Sequence, residues 1–200
     1  MRQVSQQEFV DSLRPGDLGI ILADNEFSTM QNWQRKKAKV PLRASHAFWM
    51  KETPVIAESN GWKPRCATIY KDIGDKTQCW IFRHPAMTPD KFERMLAYWN
   101  GVVEGGGHYG IGSIAQMGLN FLGLQKHMTD SDGEFCSELV GHEILTAPLP
   151  YITEEKPFEV TPSYLRSWFD FTGDDPRFYG QKVGWFKQAE YLGDRKYRIA

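Results

Sequence analysis

Residues 132–140 read DGEFCSELV, and the interpretation of the whole chain depends on this stretch. Its opening residues favour a turn, and apolar residues then recur at helical spacing from Leu139 to Leu145. The pattern predicts a helix that begins near Phe135 and places Cys136 in its first turn. Unpaired amide protons and the positive end of the helix dipole favour a thiolate at such a position. Cys136 is therefore a candidate nucleophile, and its alternative role is that of a small buried apolar residue.

A second informative stretch, residues 44–59, reads ASHAFWMKETPVIAES. Two apolar runs flank a polar segment that contains Pro54, which is typical of a β-hairpin. With a loop at residues 51–53, His46 would lie opposite Glu58, and both would share a face with Phe48 and Ile56. A carboxylate in that place orients the imidazole ring and stabilises its charged form, so the other ring nitrogen is free to take a thiol proton. The alternative for His46 is a structural histidine.

Three further segments accompany these two: LRPGDLGI at residues 13–20, GGGHY ending at Tyr109, and VTPSYL at residues 160–165. Together with the segments around His46, Glu58 and Cys136, they resemble the permuted NlpC-type papain-like cysteine hydrolases. The most similar subgroup is the YiiX-like one, which is related to lecithin retinol acyltransferase. The resemblance covers roughly residues 13–168 of a chain that we expect to form a single domain over 1–200. Residues 169–200 form an extension of unknown role.

The resemblance implies an α+β fold of the papain-like, circularly permuted kind, with an antiparallel sheet packed against helices and the catalytic cysteine at a helix N-terminus. It implies that Cys136 attacks an acyl carbon, that His46 acts as base and acid, and that Glu58 orients His46. The amide of Cys136 would stabilise the oxyanion, and Tyr109 would line the site or donate to the oxyanion, with ordinary packing as its alternative. No cofactor and no metal are implied. Peptidase or amidase activity on cell-wall peptides is the expected function, and acyl hydrolysis or transfer on lipids is the alternative.

The composition excludes some classes of function. The 200 residues include 24 basic and 25 acidic side chains, so the net charge of −1 argues against nucleic acid as a partner. The basic run from Arg35 to Arg43 is either a solvated loop or a rim that attracts an anionic substrate. Cys66, Cys79 and Cys136 lack paired spacing, which fits a reducing compartment, although Cys66 and Cys79 could pair in an exported protein.

The N-terminal residues are polar and lack the pattern of a signal peptide, and no apolar run approaches the roughly 20 residues that span a bilayer. We therefore expect a cytoplasmic protein without a transmembrane segment. A virion or export by a non-classical route remains an alternative. The sequence predicts a peptide or acyl-lipid substrate and identifies no protein partner.

Two other functions compete with hydrolysis. Glu138 and His142 lie four residues apart on the predicted helix, and with His108 and His127 they could bind a metal, although an ordinary surface pair is the simpler interpretation. A non-enzymatic module, such as a docking component of a virion or secretion system, is the third function considered. Retention of a cysteine, a histidine and a glutamate together argues against it.

Periodicity predicts the remaining elements. We expect strands at 18–23, 67–70 and 79–83, a short helix within 5–13, and a helix from 89 to about 103 that Thr88 caps. A further helix is predicted over 111–124. The aromatic residues of 169–200 indicate a packed segment.

Overall fold

The computed structural model describes residues 1–23, 36, 39–60, 63–74, 77–106, 136–149, 160–172 and 184–200. Within these residues the fold is α+β, with an open antiparallel sheet of eight strands and five helices. The expected class, an antiparallel sheet packed against helices, is confirmed. The helix predicted over 111–124 lies outside the described residues.

The strands are β1 (Arg2–Val4), β2 (Leu18–Ala23), β3 (His46–Glu52), β4 (Val55–Asn60), β5 (Lys63–Thr68), β6 (Thr77–Arg83), β7 (Phe186–Tyr191) and β8 (Tyr197–Ile199). Across the sheet they follow the order β1-β8-β7-β6-β2-β3-β4-β5, and these neighbours pair antiparallel. The helices are α1 (Gln6–Asp11), α2 (Ile69–Asp72), α3 (Pro89–Glu104), α4 (Cys136–Thr146) and α5 (Pro162–Asp170).

Helix α3 begins as its sequence predicts and ends one residue later, at Glu104. The Thr88 side chain accepts a hydrogen bond from the backbone N–H of Lys91 at 3.4 Å, and a proline follows in the first turn, where its missing N–H costs nothing. Met95 and Trp99 of this helix are buried in the core. Helix α5 begins in the same way, because Thr161 accepts from the amide of Tyr164.

Neighbouring residues of a strand point to opposite faces of the sheet, so each face has its own core. On one face Trp49 and Phe82 pack with Met95 of α3 and with apolar residues of α4 and α5. On the other face Phe48, Ile56 and Ile81 belong to a second cluster. Residues of α1 and α2 complete that second cluster. The sheet therefore separates two apolar layers, and the α3–α4–α5 layer carries Cys136.

The strand predicted at 67–70 is wrong in its bounds. Strand β5 ends at Thr68, and the chain turns into the short helix α2 at Ile69. The amide of Ile69 donates to the Pro54 carbonyl at 3.0 Å, and the Ile69 carbonyl accepts from Ile73 at 3.1 Å. Because this turn lets both isoleucines enter the second core cluster, burial outweighs the β preference of the local sequence.

The C-terminal segment supplies two strands of the sheet. Strand β7 pairs with β6, β8 pairs with β7, and β1 pairs with β8. Trp185, Tyr191 and Tyr197 are buried, so the prediction of a packed segment is confirmed for the described residues 184–200. Among the helices that the structure describes, none has the length and apolar character needed to cross a membrane.

Candidate active site

His46 is the first residue of β3, and Cys136 is the first residue of α4. The His46 Nε2 atom lies 2.6 Å from Glu58 Oε2 in β4. The Cys136 side chain lies close enough to His46 for its charge to act on the imidazole. Since Nε2 is engaged by Glu58, the nitrogen left for the thiol is Nδ1. The residues that the sequence predicts as nucleophile, base and orienting acid therefore lie together.

The register of the β3–β4 hairpin differs from the predicted one. Phe48 pairs with Glu58 and Met50 with Ile56, so β4 is displaced by two residues from the expected pairing of His46 with Glu58. A bulge between Met50 and Glu52 accommodates the change. Because the displacement is an even number of residues, side chains keep their faces. His46 and Glu58 therefore meet diagonally rather than directly across the ladder.

Short hydrogen bonds fix the backbone that carries His46. The amide of Ser45 donates to the Ile21 carbonyl at 2.7 Å, and the Ser45 hydroxyl accepts from the amide of Ala23 at 2.8 Å. One residue earlier, Ala44 donates its amide to the Ser163 hydroxyl of α5 at 3.0 Å, and that hydroxyl donates back to the Ala44 carbonyl. The entry to β3 is thus held by β2 and α5 together.

Helix α4 holds Cys136 through its buried side. Leu139, Val140 and Ile144 belong to the core between the sheet and the helices, and α4 packs directly on β3. At its first turn, the Ser137 hydroxyl donates to the Val160 carbonyl at 2.6 Å. Cys136 itself is 4% exposed. Cys136 is therefore supported by a packed helix rather than by a loop.

The Glu58 carboxylate is fully buried, and each of its oxygens has a partner. Oε2 bonds His46, while Oε1 accepts from Arg65 Nε at 2.8 Å and lies 2.7 Å from Arg65 Nη2. Burial raises the pKa of Glu58, but the hydrogen bonds and charges of His46 and Arg65 outweigh it, and the pKa is lowered overall. Glu58 is therefore ionised at neutral pH in spite of its burial.

Opposing effects act on the pKa of His46. Burial lowers the pKa, but the charge of the Cys136 side chain raises it, and the hydrogen bond and charge of Glu58 raise it further. The net result raises the pKa of His46 to about 10. The imidazole therefore carries its proton at neutral pH, beside a sulfur on one side and a carboxylate on the other.

A second carboxyl group lies within electrostatic reach of the site. Burial, followed by the negative charge of Glu58, raises the pKa of Asp72 to about 6. Among the described residues, the buried Oδ2 atom of Asp72 has no hydrogen-bond partner. Asp72 is the last residue of α2, directly after the strand that carries Arg65. No pattern in the sequence predicts that this residue lies close to Glu58.

The other predicted site residues have different outcomes. Tyr109 lies outside the described residues, as do His108 and His127. Interpretation of Glu138 and His142 as a surface pair is wrong for Glu138, which is buried because it lies on the core side of α4. His142 stacks on Tyr98, with ring centroids 5.8 Å apart. In the part of the chain that the structure describes, no group of three histidine, cysteine, aspartate or glutamate side chains could hold a metal ion.

All three cysteines are free, and Cys66 is exposed whereas Cys79 is buried. Strands β2, β3 and β4 lie between the strands of Cys66 and Cys79, so these two residues are not placed to pair. Burial, with the charge of Asp72, raises the pKa of Cys79. Among the described residues, Cys136 is the thiol that acts on the pKa of a histidine.

Two residues of the site were missed at the level of sequence: Arg65 and Ser163. A signal for Arg65 did exist, since Asn60-Gly61 favours a tight hairpin turn and would have placed a strand after it. The observed ladder pairs Glu58 directly with Arg65. Ser163 had no comparable signal, because its contact with Ala44 joins segments that are far apart in the chain.

Comparison with models of known protein families finds no match to this chain, and comparison with curated proteins finds no significant one. The chemistry must therefore be inferred from the site. A protonated imidazole that bonds an ionised, buried carboxylate and lies near a thiol is suited to nucleophilic attack and proton transfer.

Proposed function

We propose that this chain is a cysteine hydrolase of the permuted papain-like kind, which cleaves an amide bond through an acyl-enzyme on Cys136. One observation carries the proposal: the His46 imidazole bonds the buried Glu58 carboxylate through Nε2 at 2.6 Å and also lies within electrostatic reach of the Cys136 side chain. A histidine that served only structure would not need both a thiol and a buried carboxylate as partners. The arrangement supports a nucleophile, a proton carrier and an orienting group.

Acylation uses the Cys136 thiolate and the His46 imidazolium. The sulfur attacks the carbonyl carbon, a C–S bond forms, and the carbonyl π electrons move onto the oxygen. When the tetrahedral intermediate collapses, the C–N bond breaks, and His46 Nδ1 gives its proton to the departing amine. A thioester on Cys136 and a neutral His46 remain.

Deacylation reverses the roles. Neutral His46 takes a proton from water while the water oxygen bonds the acyl carbon, and the C–S bond then breaks. The products are a carboxylic acid and the restored thiolate–imidazolium pair. Glu58 holds the ring orientation in both halves and stabilises the charged ring, and it does not itself take the proton.

The oxyanion needs donors at the first turn of α4. The first amides of a helix have no intrahelical acceptor, and Cys136 is the first residue of this eleven-residue helix. Its own N–H is the natural donor to the developing negative oxygen. Tyr109 is the proposed second contributor, as the resemblance implies.

For the substrate we propose peptides of the bacterial cell wall, which is the expectation from the resemblance. Hydrolysis of acyl lipids is the competing reaction, and a docking module without activity is the competing role. Each gives a different result with the same protein: release of an amine from stem peptides, release of a fatty acid from phospholipid vesicles, or neither.

Alkylation provides the first test, because the chain contains its own controls. Iodoacetamide is applied near neutral pH at short times, followed by peptide mapping by mass spectrometry. We expect Cys136 to react first although it is 4% exposed, ahead of the exposed Cys66 and the buried Cys79. Reaction in the order of exposure, with Cys66 first, would contradict an activated Cys136.

The second test compares hydrolysis by the parent protein with that by Cys136→Ala. Release of amine from peptidoglycan stem peptides by the parent alone supports the proposal. Release of fatty acid from phosphatidylglycerol vesicles alone would move it to lipids. An unlabelled Cys136 with no turnover of either substrate would favour the docking module.

A further inference from the structure

Arg65 occupies the position directly opposite Glu58 in the β4–β5 ladder. Two of its nitrogens, Nε and Nη2, lie 2.8 and 2.7 Å from the same carboxylate oxygen, Oε1. The planar guanidinium therefore holds one oxygen with two donors rather than bridging both oxygens. The second oxygen, Oε2, is left for His46 at 2.6 Å.

Because each oxygen of Glu58 has a different partner, the carboxylate cannot rotate freely. A carboxyl group that is bonded on one side only can rotate about its last torsion, which is broad. Here rotation would break the contacts with Arg65, so Oε2 is kept directed at the imidazole. Cross-strand pairing of the two side chains makes this contact a property of the sheet rather than of a loop.

The guanidinium also compensates a costly charge. Glu58 is fully buried, and an unpaired carboxylate is strongly destabilising in such a place unless it takes up a proton. A protonated Glu58 would no longer stabilise a charged His46. Arg65 is 47% exposed and lies at the sheet edge, so its own desolvation is limited while its donors reach the buried oxygen.

We propose that Arg65 is a positioning residue, a fourth member of the chain Cys136–His46–Glu58–Arg65 that fixes the orientation and the ionised state of Glu58. The inference rests on the proposed function for its kinetic consequence, but its structural part concerns only His46, Glu58 and Arg65. It assigns to the edge strand β5 a role in the chemistry of the site.

The molecule contains a matched control. Arg198 pairs with Glu190 across the β7–β8 ladder, near the other edge of the same sheet. Arg198 is also 47% exposed, its partner is 11% exposed, and their charged atoms lie 3.3 Å apart. Arg198→Met therefore removes a comparable pair that has no contact with the site.

The test compares Arg65→Met, Arg65→Lys and Arg198→Met with the parent. Circular dichroism first establishes that each variant is folded. Proton NMR then follows the downfield resonance of the His46 Nε2 proton, and carbon NMR follows the titration of the Glu58 carboxyl. Neither spectrum requires a substrate, so both report on Arg65 even if the protein catalyses no hydrolysis.

In Arg65→Met we expect the Nε2 proton resonance to move upfield or to be lost through exchange. Because burial opposes the charge of Glu58 and one counter-charge is gone, the pKa of Glu58 should rise. Arg65→Lys restores the charge without the two-donor geometry, so it should recover most of the carboxyl titration and less of the Nε2 resonance. Arg198→Met should change neither signal.

In the hydrolysis assay, kcat of Arg65→Met should fall about 10–100-fold with little change in KM, as when other partners that orient a histidine are removed. Arg65→Lys should lie between it and the parent. Unchanged Nε2 and Glu58 signals in folded Arg65→Met would overturn the inference. Altered signals with no hydrolysis by the parent would keep the inference and reject the proposed function.

Discussion

Two buried carboxylates, Asp17 and Glu58, each bind an arginine, yet they do different work. Asp17 is bound at both oxygens by Arg83, at 2.7 and 2.6 Å, and it also accepts from the amide of Arg14. Glu58 gives one oxygen to Arg65 and keeps the other for His46. The first arrangement saturates the carboxylate with fixed donors, whereas the second connects it to a group that can carry a proton.

The protonation of the two groups reflects this difference. Burial raises the pKa of Asp17, and the hydrogen bonds and charge of Arg83 offset only part of that effect. Burial acts in the same direction on Glu58, but His46 and Arg65 together lower its pKa overall. For Asp17, one arginine does not offset the rise in pKa that burial causes. For Glu58, an arginine together with a charged imidazole does offset it. Asp17 joins the turn before β2 to Arg83 in β6, whereas Glu58 bonds the imidazole of His46.

The largest expected effect is on catalysis when Cys136, the first member of the chain Cys136–His46–Glu58–Arg65, is replaced. Cys136→Ala removes the proposed nucleophile and little volume, so kcat/KM should fall by at least about a thousandfold while the fold is retained. Asp17→Asn should leave kcat/KM per folded molecule unchanged, since its carboxylate contacts no site residue. Hydrolysis rates normalised to the folded fraction measure both. Comparable losses of kcat/KM in the two variants would remove the distinction between the carboxylates.

A second comparison substitutes both acids conservatively. Glu58→Gln keeps the shape but loses the charge that stabilises the imidazolium, so kcat should fall about 10–1,000-fold, less than in Cys136→Ala. Asp17→Asn should lower the free energy of unfolding by about 1–3 kcal/mol, because Arg83 loses a charged acceptor. Urea unfolding and steady-state kinetics separate the two outcomes. A Glu58→Gln variant with full activity would exclude an orienting role.

Much of the placement of the site residues could be predicted from the sequence, because it follows from the local periodicity of strands and helices. The period of two in the strands placed His46 and Glu58 on one face, and the helical period placed Cys136 at a helix start. The exact hairpin register was not accessible, since the bulge near Met50 depends on packing rather than on composition.

The partners of the acid were harder to predict. Arg65 lies in a strand whose start was missed, although the Asn60-Gly61 turn signal before it would have placed that strand beside β4. Asp72 comes near Glu58 because α2 forms where a strand was expected, and Ile69 of that helix is fully buried. The hydrogen bonds between Ser163 and Ala44 join distant segments of the chain, and periodicity does not predict such contacts.

A third prediction concerns pH. Because the pKa of His46 is raised to about 10, its ring keeps the proton through neutral and mildly alkaline pH, where an ordinary histidine has lost it. The proton goes to the leaving amine, so kcat should fall about tenfold for each pH unit above about 10. Alkylation of Cys136 needs only the thiolate and should not fall with it. Alkaline unfolding would also lower kcat, but it would expose the buried Cys79 to alkylation, and circular dichroism over the same range detects it.

The smallest expected effect is on the pKa of Asp72, which lies within electrostatic reach of Glu58. Burial is the first cause of its pKa of about 6, and the negative charge of Glu58 is the second. Glu58→Gln removes the second cause and leaves the first, so the Asp72 carboxyl should titrate at a lower pH than in the parent but still above the ordinary value near 3.9. The exposed Glu93 of α3 provides the control, because α3 and α2 pack on opposite faces of the sheet and Glu93 is not among the charges that shift the pKa of Asp72. Glu93→Gln removes an equal charge and should not move the Asp72 titration. Carbon NMR of the aspartate carboxyls measures both variants. An Asp72 titration that Glu58→Gln leaves in place would mean that the charge of Glu58 does not reach α2, and the orienting acid would then act on His46 and Arg65 alone.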